Sequence, residues 1–403
     1  MSTHQTMNTA GSRPARLSLT QQERKASILL ALLFACRMLG LFLLTPVFAV
    51  AAHSLPGGND AARVGLALGA YGLTQAVLQI PLGMASDRFG RRPIIVIGMA
   101  LFVIGGVISA LAQNIDWVTV GRCIQGLGAV SAAISAWVAD STRPEVRTRA
   151  MAMVGGSIGL SFAVSLVLSP VLVGQFGLSG LFWAISLLGF VCLLIAAFVV
   201  PSAPKAPASI VQVTAGQVLR HLDLLRLNFG VFCLHFILMS LFIVVPGILA
   251  TLGGYGTQDL WKVYLPVILV SFVLMVPAVF WTETRKRHKH ALELSVLLLI
   301  VVLAVMPWAR DSLVPMVAAL TFFFIGFNVL EALQPSLVSR VAPPEYKGLA
   351  LGFYNTSQSL GVFAGGLIGG ILAGRGLTQW VLWTGAALAL LWLLTARGFK
   401  DKY

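Results

Sequence analysis

The stretch GMASDRFGRRP, residues 83–93, separates two long apolar runs and holds one aspartate and three arginines. Charge is otherwise scarce, because only 10% of the 403 residues are charged whereas 58% are hydrophobic, with a mean hydropathy of +0.89. A soluble protein carries about a quarter charged residues. The composition therefore predicts an integral membrane protein, and the charged stretch marks the end of a membrane span.

Twelve apolar runs are separated by this loop and others like it. A helix needs about 20 apolar residues to cross a hydrocarbon core of roughly 30 Å. The runs do not alternate between apolar and polar residues, as the strands of a membrane barrel do. The sequence predicts an all-α membrane protein with twelve transmembrane helices, at about 26–52, 62–84, 93–112, 117–139, 148–173, 179–200, 226–252, 259–281, 291–308, 313–338, 348–373 and 377–396.

The basic residues fall mainly on one side of these spans. The termini and every second loop hold 22 of the 28 Lys and Arg residues, and the opposite loops hold only 4. Lys and Arg are enriched on the cytoplasmic side, so both termini are expected in the cytoplasm, and a bacterial inner membrane is the expected location. The net charge of +14 reflects this topology and requires no nucleic-acid partner.

Prolines at 201, 204 and 207 break the chain after predicted helix 6. A short amphipathic stretch follows, and the opening of helix 5, RAMAMVG, is echoed 198 residues later by KGLALGF at helix 11. Two six-helix halves are therefore predicted. The segments are a disordered N-terminus (1–22), an N-terminal half (23–200), a cytoplasmic linker with an amphipathic helix (201–225), a C-terminal half (226–396) and a tail (397–403).

The charged stretch resembles the signature loop of the major facilitator superfamily, roughly G-x-x-x-D-R-x-G-R-R. GRCIQGLGA in helix 4 resembles a motif of its drug/proton antiporter branch, although SLVLSPVLVG in helix 5 has Ser169 where that branch has glycine. CRMLGLFLLTPV, YGLTQAVLQIPLG and FNVLEALQPSLVS resemble a bacterial member with an added soluble C-terminal domain, which is not expected after ARGFKDKY. The resemblance implies a monomer with a small-molecule site between two pseudo-symmetric halves, near the middle of the bilayer.

In this family the loop aspartate meets the first turn of helix 11, which begins near Gly348. A carboxylate at a helix N-terminus gains roughly 0.3–1 kcal/mol. The resemblance thus implies a conformational latch between the halves, with arginines paired to the two aspartates. Alternatively, the arginines only determine topology, which is the role assigned to the loop at 282–290. The latch residues are Gly83, Asp87, Arg88, Gly90, Arg91 and Asp140.

Four ionisable side chains lie within helices 1, 4, 7 and 10, which line the central cavity in this family: Arg37, Arg122, His235 and Glu331. Such residues are costly in a bilayer and are functional candidates. Burial favours a protonated carboxyl group and a nearby arginine favours the charged form. Glu331 is therefore predicted to carry protons with Arg37 or Arg122 as its partner, and His235 as a possible relay. The alternatives are a permanent Glu331–Arg37 ion pair and a packing role for His235.

Polar side chains at helical spacing predict the lining of a substrate cavity. They share faces of helices 2, 10 and 11, and their alternative role is hydrogen bonding between helices. The predicted cavity residues are Arg37, Tyr71, Gln75, Gln79, Gln125, Asn328, Glu331, Tyr354 and Gln358.

No cofactor or metal is predicted. The four cysteines lack metal-ligand spacing and are predicted to be thiols in the core of the bundle. No phosphate-binding loop for ATP is found, so transport would depend on an electrochemical gradient. The favoured prediction is a secondary active transporter, not an enzyme, that exports a small amphipathic or drug-like molecule in exchange for protons. The alternative is an importer or facilitator of an anionic or zwitterionic metabolite, favoured by two arginines against one glutamate. A transport-inactive sensor and a channel are disfavoured.

Overall fold

The computed structural model describes residues 18–128, 130–201, 215–343 and 347–399. The predictions for residues 1–17, for prolines 204 and 207, and for the last four residues lie outside this part. Ten of the twelve helices number as α1 Gln21–Phe42, α2 Ala61–Phe89, α3 Arg91–Ala110, α4 Ile115–Leu127 with Ser131–Asp140, α7 Leu222–Gly253, α8 Trp261–Arg285, α9 His288–Ala309, α10 Leu313–Val341, α11 Lys347–Gly374 and α12 Thr378–Arg397. The remaining two, α5 and α6, form one element, Pro144–Leu194.

The element Pro144–Leu194 contains two spans, because one straight helix of its 51 residues would be about 77 Å long, far more than a hydrocarbon core of roughly 30 Å. The backbone leaves helical geometry at Gly177, where φ is 67° and ψ is −175°, a conformation that favours glycine. We therefore call 144–176 α5 and 178–194 α6. Eleven described stretches are long and apolar enough to cross a membrane, and one of them covers both of these spans. The predicted twelve-helix, all-α fold is confirmed.

Two helices differ from the predicted runs. α1 begins earlier, at Gln21, because Thr20 and Glu23 form a capping box that satisfies the first turn. It ends at Phe42 rather than near residue 52, and a short helix follows at Phe48–Ala51. α4 is interrupted after Leu127, where Gly128 and Val130 have non-helical backbone angles. The sequence predicted one unbroken span there.

The loops define two ends of the bundle. The basic end contains the loops near 90, 141–143, 286–287 and 342–343, and the far end contains those near 52–60, 111–114, 254–260 and 310–312. A short helix, Ala215–Leu219, precedes α7 and contacts α11. α2 and α11 contact each other, as do the 144–194 helix and α8, so these pairs join the N-terminal and C-terminal halves.

The two halves are in backbone contact at the far end. A Cβ atom at Gly65 would collide with the carbonyl oxygen of Gly366 in α11, and one at Gly69 would lie 2.8 Å from the carbonyl oxygen of Phe363. Such spacing is possible only without a side chain. Also at this end, Tyr264 Oη of α8 donates a 3.4 Å hydrogen bond to the carbonyl oxygen of Pro46. The far end of the bundle is therefore closed.

The basic end lacks comparable contacts. Cβ positions at Gly155 and Gly156 in α5, and at Gly348 and Gly352 in α11, have no neighbour within 4 Å among the described residues. The side chain of Asp87, at the end of α2, is 65% exposed. The structure is therefore separated at its basic end and closed at its far end.

Candidate functional site: the central cavity and the charged loop

A narrow cavity lies where α1, α2, α7 and α11 meet, between the two halves. Tyr71, Gln75, His235 and Gln358 contribute polar groups to a wall that is otherwise mostly apolar. A small number of polar groups in an apolar cavity is typical of a small-molecule site. The other lining residues are Met38, Leu41, Phe42, Thr45, Gly72, Leu238, Met239, Ser359 and Val362.

His235 is 2% exposed and has two hydrogen-bond partners. Its Nδ1 lies 3.1 Å from the carbonyl oxygen of Val231, one turn earlier in α7. A carbonyl oxygen only accepts, so Nδ1 carries a proton and Nε2 is free to accept in the neutral ring. The amide nitrogen of Gln358 in α11 lies 2.7 Å from Nε2 and donates to it.

Glu331 in α10 lies beside the same ring. Its Oε2 is 3.7 Å from His235 Nε2, beyond hydrogen-bond distance, and Oε2 is buried without a hydrogen-bond partner in the described chain. The sequence predicted an arginine next to Glu331. The structure instead places His235 there, because α7 and α10 of the C-terminal half face each other at this depth. The partner of Glu331 is thus a histidine and not an arginine.

Arg37 and Arg122 lie behind the cavity wall in the N-terminal half. Each is 1% exposed, and their Cζ atoms are 6.0 Å and 4.6 Å from the ring centroid of Tyr71. Arg37 Nη1 donates to Ser131 Oγ, and Arg122 Nη1 donates to Gln125 Oε1 at 2.9 Å. Tyr71 therefore separates both arginines from the cavity.

Four other predicted cavity residues lie away from this wall. Asn328 faces α8, where its amide donates to Ser271 Oγ at 2.9 Å, so it joins two helices. Gln125 is occupied by Arg122. Gln79 is fully buried, and neither atom of its amide has a partner among the described residues. The hydroxyl group of Tyr354 is likewise buried and unpaired.

An aromatic cluster next to the cavity was not predicted. Phe162 of α5 has its ring centroid 5.1 Å from that of Phe42 in α1. It also lies 5.8 Å from Phe324 and 5.6 Å from Phe327, both in α10. Phe327 makes an edge contact with His235 at 6.1 Å. These rings connect the two halves, but in a sequence rich in apolar residues no polar signal marks them.

Arg91 is the centre of the charged loop. Its Nε donates to Asp140 Oδ2 of α4 at 2.8 Å, and Nη1 donates to Ser86 Oγ at 2.8 Å and pairs with Asp87. Arg88, also predicted to pair with these aspartates, instead lies over the ring of Phe89, with Cζ 5.4 Å from its centroid. Asp87 contacts Arg91 and not the first turn of α11. This is consistent with the separated basic end.

The loop at 282–290 makes interactions that the sequence did not indicate. Both Oε atoms of Glu283, at the end of α8, accept from Arg340 Nη2 of α10, at 2.9 and 2.7 Å. His288 Nε2 of α9 lies 3.5 Å from Glu283 Oε1. Glu283 therefore joins three helices of the C-terminal half, much as Arg91 joins α2, α3 and α4. The prediction of a purely topological loop omitted this contact.

The sequence profile of the Major Facilitator Superfamily matches residues 30–360 and, in a second match, 227–402. The chain belongs to the Major Facilitator Superfamily. It is 41% identical over 387 residues to the inner membrane transport protein YajR of Escherichia coli, covering 95% of this chain and 85% of that protein. It is 28% identical to the multidrug resistance protein MdtH of Aeromonas hydrophila, covering 86% and 88%.

The structure of a D-xylose–proton symporter has the same superfamily fold, with a TM-score of 0.72 at 16% identity over 96% of this chain and 99% of that one. These matches confirm a resemblance inferred from the loop 83–93 and from the helix count. The chain is a multi-pass membrane transporter and not an enzyme.

Proposed function

We propose that this transporter exports a small amphipathic molecule in exchange for protons across the bacterial inner membrane. The observation that carries the proposal is the contact of Glu331 with His235, two titratable groups beside a cavity between the halves. The apolar wall with a few polar groups suits an amphipathic molecule. Relatives named as multidrug resistance proteins support export.

The hydrogen bonds of His235 suggest how a proton alters the site. In the neutral ring, Nε2 accepts from the Gln358 amide. A proton on Nε2 turns it into a donor, which repels that N–H and attracts Glu331 Oε2, 3.7 Å away. Gln358 is one residue before Ser359, whose carbonyl oxygen packs against Gly72 of α2. Protonation would therefore change the environment of α11 where it contacts the other half.

The difference between the two ends of the bundle supports transport by alternating access. By the positive-inside rule the basic end faces the cytoplasm, so this structure corresponds to a cavity open to the cytoplasm. Closing that end would bring Asp87 to the first turn of α11, where its charge is favoured by the helix dipole. Arg91 would hold Asp87 in position and link it to Asp140.

Arg91→Ala is expected to lower both stability and transport. Asp140 would lose its partner while only 19% of its side chain is exposed, at a cost of about 1–3 kcal/mol. Thermal unfolding in detergent and uptake into proteoliposomes would measure the two effects. Arg88→Ala removes the same charge from an exposed side chain over Phe89 and should have a clearly smaller effect on both. Equal effects would mean that loop charge alone matters.

Proton exchange can be tested on the unmodified protein in proteoliposomes with a trapped pH dye. A panel of lipophilic cations and of anionic metabolites is added with and without an imposed pH gradient. We expect at least one compound to move protons across the membrane, and its accumulation to follow the pH gradient. Compound movement without any proton flux would reject exchange and favour a facilitator.

A second candidate is an importer or facilitator of an anionic or zwitterionic metabolite. Arg37 and Arg122, buried next to Tyr71 of the cavity wall, favour it. The direction of the response separates the candidates in the same assay. A compound that is exchanged for protons accumulates on the acidic side of the vesicle membrane. A facilitated metabolite instead reaches the same concentration on both sides regardless of pH.

A further inference from the structure

We propose that Arg37, Arg122 and the N-terminus of the second α4 segment, Ser131–Asp140, form a buried binding site for one small anion, of carboxylate or chloride size. The site lies within the N-terminal half and is distinct from the Glu331–His235 pair. It depends neither on proton exchange nor on the direction of transport.

The first argument is unsatisfied charge. Arg37 Nε and Nη2 and Arg122 Nε are buried and have no hydrogen-bond partner in the described part of the chain. A guanidinium group has five N–H donors and stays charged in proteins. An unpaired buried charge costs several kcal/mol, so a buried arginine normally has an anionic partner.

The second argument is that the described carboxylates of this half are used elsewhere. None of them lies within hydrogen-bond distance of Arg37 or Arg122, and each sits at an end of the bundle next to another arginine. These pairs are Glu23–Arg143, Asp60–Arg63, Asp116–Arg63, Asp87–Arg91 and Asp140–Arg91. In the C-terminal half, Glu331 contacts His235. Two positive charges are therefore left without a protein counter-charge among the described residues.

The third argument is the broken helix. Its second segment, Ser131–Asp140, begins in the middle of the bundle, and its first intrahelical bond runs from the Ile134 amide to the Val130 carbonyl oxygen at 2.9 Å. The first N–H groups of a helix lack intrahelical acceptors, and a helix N-terminus therefore favours an anion. Arg37 Nη1 bonds to Ser131 Oγ, the first side chain of this segment. The unpaired nitrogens of Arg37 therefore lie at that N-terminus.

Gln79 adds a neutral donor. Gly83 of α2 packs against Ala132, where an added Cβ would be 3.4 Å from the alanine Cβ. Gln79 is one turn earlier on the same face of α2, fully buried, with its amide unpaired. The proposed site therefore takes donors from α1, α2 and α4 and includes none of the described carboxylates.

Tyr71 lies between the proposed anion site and the central cavity. Its ring contacts both arginines and also forms part of the cavity wall, and its hydroxyl group is buried and unpaired. A free inorganic anion and the acid group of a cavity-bound substrate would present the same chemistry to the arginines. They differ in whether filling the cavity displaces the anion.

The test is the melting temperature of the purified full chain in detergent as sodium gluconate is replaced by sodium chloride or sodium acetate at constant ionic strength. Gluconate serves as the reference salt because its polyol chain makes it much larger than chloride or acetate. We expect wild type to gain a few degrees, saturably, with chloride or acetate, and Arg37→Gln to lose this gain. Arg310→Gln removes an exposed far-end arginine and should keep it. An identical response of wild type to all three salts, or an unchanged gain in Arg37→Gln, would overturn the proposal.

A second measurement does not depend on the variant folding. Chloride exchange with wild type should broaden the ³⁵Cl NMR line, and acetate should reverse the broadening. If the line did not broaden, or if acetate did not reverse the broadening, the site would be rejected. Naphthalene-1-acetate then distinguishes the sources, with the neutral naphthalene-1-acetamide as control. Displacement of chloride by the acid alone identifies a substrate acid group, and retention of chloride identifies a resident inorganic anion.

Discussion

Glu331→Gln is expected to abolish proton movement by this transporter. The variant should still exchange labelled for unlabelled compound across the membrane. Glutamine has the shape of a protonated glutamic acid but cannot release a proton. The site would thus be fixed near the state in which His235 Nε2 keeps its bond to Gln358, since the carboxylate that attracts the ring is gone. Proton flux with the trapped pH dye should fall more than about tenfold, which corresponds to about 1.4 kcal/mol.

Three controls make this result specific. Glu293→Gln changes an acid in α9 that faces Lys289 at 4.0 Å, away from the cavity, and should keep the wild-type proton flux. Glu331→Asp retains a titratable group and should restore part of it. Counterflow with equal pH on both sides should persist in Glu331→Gln, which excludes simple misfolding. If Glu331→Gln moved protons as wild type does, the proton would have to be carried elsewhere and Glu331 would be structural.

The fold could be predicted because the bilayer imposes its constraints locally. Each span needs about 20 apolar residues, and the loops carry the charges, so hydropathy alone separates twelve helices. The same reasoning could not place the break in α4, because the residues around Gly128 are as apolar as a continuous helix would be. It also could not show that Pro144–Leu194 would be one element with its turn at Gly177.

The site was predicted less completely, since sequence gives the depth of a side chain but not its direction around the bundle. Arg37, His235 and Glu331 share a depth, and two of them meet. Arg37 is directed instead to the broken α4 by its bond to Ser131. Tyr71, Gln75 and Gln358 were found in the cavity wall because polar groups stand out in apolar helices. Met38, Phe42 and Met239 did not stand out, although they form much of the same wall.

Gly65→Ala is expected to prevent closure of the far end and to reduce transport more than about tenfold. The new Cβ would collide with the carbonyl oxygen of Gly366 and lie 2.8 Å from the Cα atom of Gly370. Both are backbone atoms, so neither can rotate away, and α2 and α11 must separate. Overpacking of this kind costs about 1–3 kcal/mol. That cost falls only on the state closed at the far end, so the population shifts to a state open there.

Spin labels at Gln113 and Asp311, exposed positions on far-end loops of the two halves, would report the change in a variant without the native cysteines. Their mean separation should increase in Gly65→Ala. Gly247→Ala in α7 is the matched control, because its Cβ has no described neighbour within 4 Å and it lies away from the basic end, so both transport and separation should stay as in wild type. Gly366→Ala, whose Cβ would lie 2.7 Å from the carbonyl oxygen of Gly65, should reproduce the effect from the opposite helix. If Gly65→Ala kept the wild-type separation and rate, the glycine contact would not limit closure, and a different contact would have to close the far end.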